Sequence, residues 1–140
     1  MIWLKNYSLD EVNRIFDKYM TQFLEIKATG ILDNAIIATM PITDKVKQPF
    51  GILHGGASVV LAESVGSVAS NLIIDTTKYV GVGLEVNANH VKSGIAGLVT
   101  ATCTAIHLGK STHVWDIKIH NDQRELLCIS RLTVAIVEKK

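Results

Sequence analysis

The chain has 140 residues, a length that fits one domain and excludes a multidomain enzyme. Apolar residues make up 48% of the sequence and charged residues 19%, so the composition excludes a disordered chain and supplies a large core. The net charge of +1 provides no broad electrostatic field for binding nucleic acid or an anionic membrane. We therefore expect one domain over residues 1–140, with no nucleic-acid partner and no membrane partner.

Several features of the sequence favour a cytoplasmic location. The opening residues MIWLKNYSLDEV lack the basic region, apolar core and cleavage site of a secretory signal. Cys103 and Cys128 lie in apolar runs without metal-ligand spacing, which predicts buried free thiols, although a single disulfide stays open as an alternative. The apolar run 57–74 contains Glu63 and Asn71 and is shorter than the roughly 20 residues needed to cross a bilayer, so it predicts a buried helix.

The first predicted element is an amphipathic helix. Ser8 and Glu11 have the spacing of a capping box, and apolar residues then recur at helical intervals as far as Phe23. Residues 35–42 predict a strand that enters a long loop with one proline and several glycines. The predicted buried helix follows that loop.

Four strands are predicted after the buried helix. From Tyr79 the period changes from 3.6 to 2, which predicts a half-buried strand with one apolar face. The residues expected on this face are Val80, Val82, Leu84, Val86 and Ala88. Residues 98–106, 114–119 and 126–137 predict three further strands joined by turns short enough for hairpins. The chain is therefore expected to be a compact α+β unit with a mostly antiparallel sheet.

Glu63 is the only charged residue in the predicted buried helix. An isolated carboxylate in apolar surroundings is costly unless another group compensates it. One interpretation is a structural carboxylate hydrogen-bonded to the backbone or to a serine. However, Ser67 and Asn71 follow at intervals of four residues, so a narrow polar seam runs along the helix. This pattern favours a functional site.

Gly55 and Gly56 open the same helix and leave its first N–H groups accessible. A helix N-terminus can hold an oxyanion, although the glycines could equally serve only a tight turn. The nearby Gln48, His54 and Glu63 favour the first interpretation. At about 1.5 Å per residue, Gly55 and Glu63 are roughly 12 Å apart, too far to act on one carbonyl. We therefore expect a dimer in which antiparallel helices of two subunits share each active site.

The run QPFGILHGGASVVLAESVGSVAS, residues 48–70, resembles the signature of the hotdog-fold acyl-CoA thioesterases. The closest resemblance is to the branch of 4-hydroxybenzoyl-CoA thioesterase and 1,4-dihydroxy-2-naphthoyl-CoA hydrolase. The MIW opening, the GVGLEVNANH strand, the AIHLGKSTHVWDI hairpin and the ISRLTVAIVE strand also resemble this family in order and spacing. The resemblance implies a hotdog fold, with five or six antiparallel strands around the central helix, and homodimers that join into tetramers.

The resemblance also implies roles for the residues around the central helix. Glu63 is the expected catalytic carboxylate, either as a nucleophile toward the thioester carbonyl or as a general base toward water. The Gly55 N–H is expected to polarise the carbonyl. Gln48 and His54 are expected to orient the thioester or the hydrolytic water, and Ser67 to support Glu63 or that water.

For the CoA portion of the substrate, the resemblance implies binding segments near the predicted turns. These expected substrate-binding residues are Val82, Asn89, His90, Val91, Lys92, Ile106, His107, Leu108, Gly109, Lys110 and Ser111. Lys92 and Lys110 offer positive charge to the CoA phosphates, although lysines beside turns are commonly only solvated. Residues 90–92 also replace a more basic His-Arg-Pro-like stretch of the relatives.

Other functional motifs are absent from the sequence. The five histidines form no recognised metal-ligand set and are expected mostly at the surface or in turns. There is no G-x-S-x-G motif, and Gly81-Val82-Gly83 lacks the third glycine of a dinucleotide fingerprint. Trp3 and Trp115 are expected to pack in the core.

The sequence therefore predicts an enzyme that hydrolyses an acyl-CoA thioester to a free acid and CoA. The expected acyl group is aromatic or of medium chain length, with 1,4-dihydroxy-2-naphthoyl-CoA as one candidate. No metal or other cofactor is expected, since CoA is part of the substrate. Two alternatives stay open: a hotdog hydratase or dehydratase acting on an enoyl thioester, and a non-catalytic acyl-CoA-binding module.

Overall fold

The computed structural model describes residues 1–140, and six antiparallel strands dominate it. The strands are β1 (Lys27–Ile31), β2 (Ala35–Pro41), β3 (Tyr79–His90), β4 (Leu98–Leu108), β5 (Thr112–His120) and β6 (Leu126–Glu138). They form one sheet in the order β1-β2-β4-β5-β6-β3. The helices are α1 (Leu9–Phe16), α2 (Tyr19–Phe23) and α3 (Gly55–Asn71), with a short 3-10 helix at Asp44–Val46. The predicted α+β class is confirmed.

The sheet encloses α3, as the apolar composition of this helix predicts. The helix packs against β2, β3, β4, β5 and β6. Gly66 allows the close approach, because a Cβ atom at this position would overlap the Leu132 side chain and lie 3.3 Å from Ile117 Cδ1. The prediction of a buried central helix is therefore confirmed. None of the helices combines the length and the apolar character that a membrane-spanning helix needs.

The predicted first helix is divided into α1 and α2. Its capping box is present at the start of α1. Lys18, however, is extended between α1 and α2, with a φ of −146° and a ψ of 144°, and Tyr19 follows with a left-handed φ of 50°, so the first helix cannot continue. Val12 and Phe16 are consequently buried, whereas Ile15 and Phe23 are exposed. The prediction of one continuous amphipathic helix was wrong. β1, against which α1 packs, was missed because five residues carry too short a pattern.

β3 contains a bulge that the sequence pattern did not reveal. Its register against β6 shifts between Gly83 and Glu85, so that Leu84 is an extra residue without a partner. The bulge changes which side chains face the core: Val82 and Leu84 are 49% and 69% exposed, whereas Val86 packs against the core. The prediction of one apolar face along the whole strand was wrong, because a single extra residue inverts an alternating pattern.

The cysteines and tryptophans lie in the core. Cys103 and Cys128 are both free and buried, and burial raises the pKa of each thiol. Trp3 and Trp115 are stacked with ring centroids 6.4 Å apart. The predictions of buried free thiols and of packing tryptophans are confirmed.

Candidate active site

The start of α3 presents one free hydrogen-bond donor. His54 is the N-cap residue, and its Nδ1 accepts a hydrogen bond from the Gly56 N–H at 2.8 Å. Because Nδ1 is the acceptor, the ring hydrogen is carried by Nε2. The Gly55 N–H, in contrast, donates to no group in the protein. A free N–H in the first turn of a helix of 17 residues can stabilise an oxygen that gains negative charge.

Gln48 lies beside this donor in the loop before α3. Its Oε1 accepts from the Phe50 N–H, and its backbone N–H donates to the Ile52 carbonyl at 2.8 Å. The amide NH2 group donates to no group in the chain, so it is a free donor. Gln48, Gly55 and His90 line one cavity of about 350 Å³. The structure therefore brings these three predicted residues together.

The end of β3 lies over the start of α3. A Cβ atom at Gly55 would be only 2.9 Å from His90 Nε2, so the imidazole ring lies directly against the glycine. Val91 and Lys92 line the same cavity, and Lys92 forms a salt bridge with Glu125. The Lys92 ammonium lowers the pKa of the Glu125 carboxyl. This lysine, which was expected to contact CoA phosphates, already has an anionic partner within the chain.

Glu63 projects from the middle of α3 toward the bulge of β3. Its side chain is half-buried and lies against Gly83, where a Cβ atom would be 3.4 Å from Glu63 Cδ and would overlap Oε2. No protein group donates a hydrogen bond to the carboxylate, and no cation pairs with it. No hydrogen bond within the chain therefore supports the interpretation as a structural carboxylate bonded to the backbone or a serine. Ser67 likewise forms no hydrogen bond with Glu63 within the chain, and its hydroxyl is free.

The two halves of the predicted catalytic machinery are separated within one chain. Gly55 and Glu63 lie eight residues apart on the same straight element, or about 12 Å at the rise of an α-helix. Gly55 lines the 350 Å³ cavity, and Glu63 does not. Elsewhere, no three His, Cys, Asp or Glu side chains converge in a group that could hold a metal ion.

A second cavity, of about 740 Å³, lies at the C-terminal end of α3. Part of its wall is the β4–β5 hairpin, with the predicted substrate-binding residues Leu108, Gly109, Lys110 and Ser111. Four other predicted substrate-binding residues are exposed and line neither cavity: Val82, Asn89, Ile106 and His107. Within one chain, the expected CoA-binding residues therefore do not form a single site.

A buried polar network at this end of α3 was missed from the sequence. His113 is only 3% exposed, contrary to the expectation of surface histidines. Trp115 Nε1–H donates to Ser70 Oγ at 2.8 Å, and His113 Nδ1 lies 3.0 Å from the same oxygen. Since the indole can only donate, the Ser70 hydrogen is available to His113 Nδ1. The alternation of apolar residues in β5 was the available signal, because it places His113 on the inward face with Trp115.

We expect this network to make the protein sensitive to mild acid. Burial, with a smaller contribution from His107, lowers the pKa of His113 in the folded state. The unfolded chain therefore takes up a proton first, and stability is lost as the pH falls from about 6.5, the ordinary value of histidine. The urea midpoint should fall between pH 7.5 and pH 5.5. His113→Gln should reduce this dependence, whereas an unchanged pH profile in that variant would contradict the interpretation. His120→Gln is the matched control on the same strand.

Comparisons with known proteins extend along nearly the whole chain. Residues 50–128 match the family described as the Thioesterase superfamily. The chain is 48% identical over 137 residues to the 1,4-dihydroxy-2-naphthoyl-CoA hydrolase of Escherichia coli, which covers 98% of this chain and 100% of the relative. It is 39% identical over 137 residues to a proofreading thioesterase of Cronobacter sakazakii, covering 98% of this chain and 99% of the relative.

Solved structures show the same architecture. A thioesterase of Pseudomonas aeruginosa superposes with a TM-score of 0.97 and 46% sequence identity, covering 99% of this chain and 100% of that chain. A thioesterase of Haemophilus influenzae superposes with a TM-score of 0.94 and 39% identity, covering 99% of this chain and 96% of that chain. The likeness therefore extends over nearly the whole fold.

Proposed function

The chain belongs to the thioesterase superfamily and is a hotdog-fold acyl-CoA thioesterase, and on that premise we propose that Glu63 is the catalytic carboxylate of a site built by two copies of the chain. One observation carries this proposal. α3 presents two groups without protein partners, the Gly55 N–H and the Glu63 carboxylate. The N–H can stabilise negative charge on a carbonyl oxygen, and the carboxylate can act as the nucleophile or the base, so attack on a thioester carbonyl could use both. In one chain, however, they are too far apart to act on the same thioester.

The free edge of β3 supports the pairing of two copies. β3 is the last strand in the sheet order, so no strand covers its outer edge. Val82 and Leu84 expose apolar surface on this strand. A twofold axis beside β3 makes the two α3 helices antiparallel, and the start of one helix can then lie beside the middle of the other. This is the arrangement that the proposed site requires.

In the proposed reaction, the Gly55 N–H of one copy donates to the thioester carbonyl oxygen and stabilises its developing charge. Glu63 of the other copy either attacks the carbonyl carbon or removes a proton from the attacking water. The carbon–sulfur bond then breaks and CoA leaves as a thiolate, which needs little help from an acid. The Gln48 amide and the His54 Nε2–H are free donors that orient the thioester or the water. Ser67 supplies a free hydroxyl one turn beyond Glu63.

We propose that the CoA portion extends over the exposed ends of β3 and of the β4–β5 hairpin. The residues proposed to hold it are those at 82, 89–92 and 106–111. Lys110 supports this proposal more than Lys92 does, because Lys110 forms no ion pair within the chain whereas Lys92 is bound to Glu125. An unpaired ammonium beside a cavity suits a phosphate group.

The proposal also includes the cellular location and the assembly. Two free buried thiols are consistent with a reducing compartment, which supports the cytoplasm. We propose that dimers with shared active sites associate further into a homotetramer. The mass of the particle in solution, measured by light scattering, tests this assembly, and a monomer would contradict the shared site.

A thiol-release screen tests the proposed substrate class. The panel contains aromatic, short, medium and long acyl-CoA thioesters, including 1,4-dihydroxy-2-naphthoyl-CoA. We expect the highest kcat/KM, above about 10⁴ M⁻¹s⁻¹, with an aromatic or medium-chain substrate. We also expect the rate to be unchanged after dialysis against EDTA, because none of the proposed steps uses a metal ion. Tight binding without thiol release would instead indicate a binding module, and hydration of crotonyl-CoA without thiol release would indicate a hydratase.

A further inference from the structure

We propose that Gly83 is a positioning residue for the Glu63 carboxylate, and that Asn71 holds β3 in the place where Gly83 can act in this way. The inference rests on the catalytic role proposed above for Glu63. It gives a function to the two glycines of the Gly81-Val82-Gly83 segment. Both glycines of this segment face polar side chains of α3.

The Glu63 side chain packs against Gly83 of β3. The carboxylate has no hydrogen bond and no ion pair, so no polar partner fixes its direction. The backbone of β3 limits the positions that the carboxylate can occupy. A Cβ atom at Gly83 would overlap Oε2 and lie 3.4 Å from Cδ, so only glycine leaves room for the carboxylate in this orientation. Gly83 also begins the bulge of β3, where the strand turns its faces relative to α3.

Asn71 forms a clamp between the end of α3 and β3. Asn71 Oδ1 accepts from the Gly81 N–H at 2.9 Å, and Asn71 Nδ2 donates to the Gly81 carbonyl at 3.2 Å. Nδ2 also donates to the Ser67 carbonyl at 2.8 Å. The N–H and C=O of one residue in an antiparallel strand point to the same side of the strand. Because Asn71 bonds both of these groups of Gly81, it lies on the side of β3 that faces away from β6. The clamp therefore fixes β3 two residues before Gly83.

The position of the Glu63 carboxylate has a direct consequence for catalysis. The proposed site needs the Glu63 carboxylate within about 3–3.5 Å of a carbon or a water that the partner copy helps to position. A displacement of about 1 Å at this distance can cost about 10²-fold in rate. Gly83 and Asn71 touch no substrate in this proposal, so they act through the direction of Glu63. Their effect should appear in kcat and not in KM.

The deciding experiment is a double-mutant cycle between positions 83 and 63, with thiol release as the assay. Gly83→Ala adds one methyl group where Oε2 now lies, and we expect kcat to fall about 10²-fold with KM within about twofold. Glu63→Asp shortens the acid by one methylene and should itself lower kcat. In the Glu63→Asp background the added methyl group meets no carboxylate, so Gly83→Ala should then cost less than about threefold.

Gly30→Ala is the matched control. Gly30 also borders a register shift in an edge strand, but a Cβ atom there makes only ordinary contact, 3.4 Å from Ile37 Cδ1. We expect this variant to keep the wild-type kcat and melting temperature. Should Gly83→Ala not accumulate as a folded protein, Asn71→Ala decides the matter: a kcat lowered about fivefold or more at unchanged KM supports the proposal, and a wild-type kcat overturns it.

The possible failures are distinguishable. If Glu63→Gln, which lacks a carboxylate, leaves kcat unchanged, Glu63 is not catalytic and the proposed function fails together with this inference. If Glu63→Asp lowers kcat but Gly83→Ala costs the same factor in both backgrounds, Glu63 keeps its role and only the positioning role of Gly83 is overturned. A kcat for Gly83→Ala within about twofold of wild type also overturns it.

Discussion

Glu63→Gln should lower kcat by at least about 10²–10⁴-fold, the range that loss of a general base produces. Loss of a nucleophile produces a larger decrease. Glutamine has nearly the same shape as glutamate, so it fits against Gly83 without a new clash. Its amide neither attacks a thioester nor accepts a proton from water. Because the Glu63 carboxylate forms no hydrogen bond or ion pair in the structure, the substitution breaks no interaction of the folded chain. The expected result is an inactive protein with an unchanged melting temperature.

The same thiol-release assay, applied to the wild-type enzyme, distinguishes the two proposed roles of the carboxylate. A nucleophile forms a covalent acyl-enzyme intermediate and gives a burst of thiol in the first turnover of the wild-type enzyme, whereas a general base gives none. Glu25→Gln is a suitable control, since its carboxylate is exposed and 3.7 Å from Lys45 Nζ, a contact that contributes little to stability. Nearly normal turnover in Glu63→Gln would show that another group performs the chemistry.

Two inactive variants should restore activity when they are combined in one dimer. Gly55→Pro removes the free N–H, and proline is well tolerated at the first position of a helix. The preceding residue His54 has a ψ of 129°, which proline permits, and the exposed His90 ring can move from the added ring atoms. The loss of this oxyanion donor should lower kcat about 10²–10³-fold.

A mixed dimer of Gly55→Pro and Glu63→Gln chains contains one site with both defects and one site with neither. Random pairing makes about half of the dimers mixed, so activity should return to about one quarter of the wild-type value. Each variant refolded alone serves as the control and should stay inactive. Mixed dimers that are present by native mass spectrometry but remain inactive would show that each chain builds its own site.

Most of the fold could be predicted from the chain because its apolar patterns are long and regular. The run 57–74 produced a helix enclosed by the sheet, and the alternating segments after Tyr79 produced strands β3 to β6. The predictions of the fold were wrong where a single residue changes the direction of the backbone. The extended Lys18 divides the first helix, and the extra residue Leu84 inverts the faces of β3. A periodic pattern averages over several residues and does not register such local changes.

The candidate site was predictable to a similar degree. Glu63 stood out because a charge in an apolar helix requires an explanation, and Gly55 stood out because glycines at a helix start leave N–H groups free. The burial of His113 was not predicted. Its polar side chain favoured a surface position, whereas the alternation along β5 places it on the inward face. Neither was the salt bridge of Lys92, since its partner Glu125 is 33 residues away in the chain.

The class of fold, the central helix and the residues capable of chemistry could be predicted from the chain, because each of these depends on composition and on spacing within one element. Three contacts, in contrast, became visible with the folded arrangement: Gly55 with His90, Glu63 with Gly83 and Asn71 with Gly81. These contacts join α3 to β3, where the approach of two backbones depends on how the whole sheet curves around the helix. That curvature comes from the packing of all six strands together, so no local segment contains it.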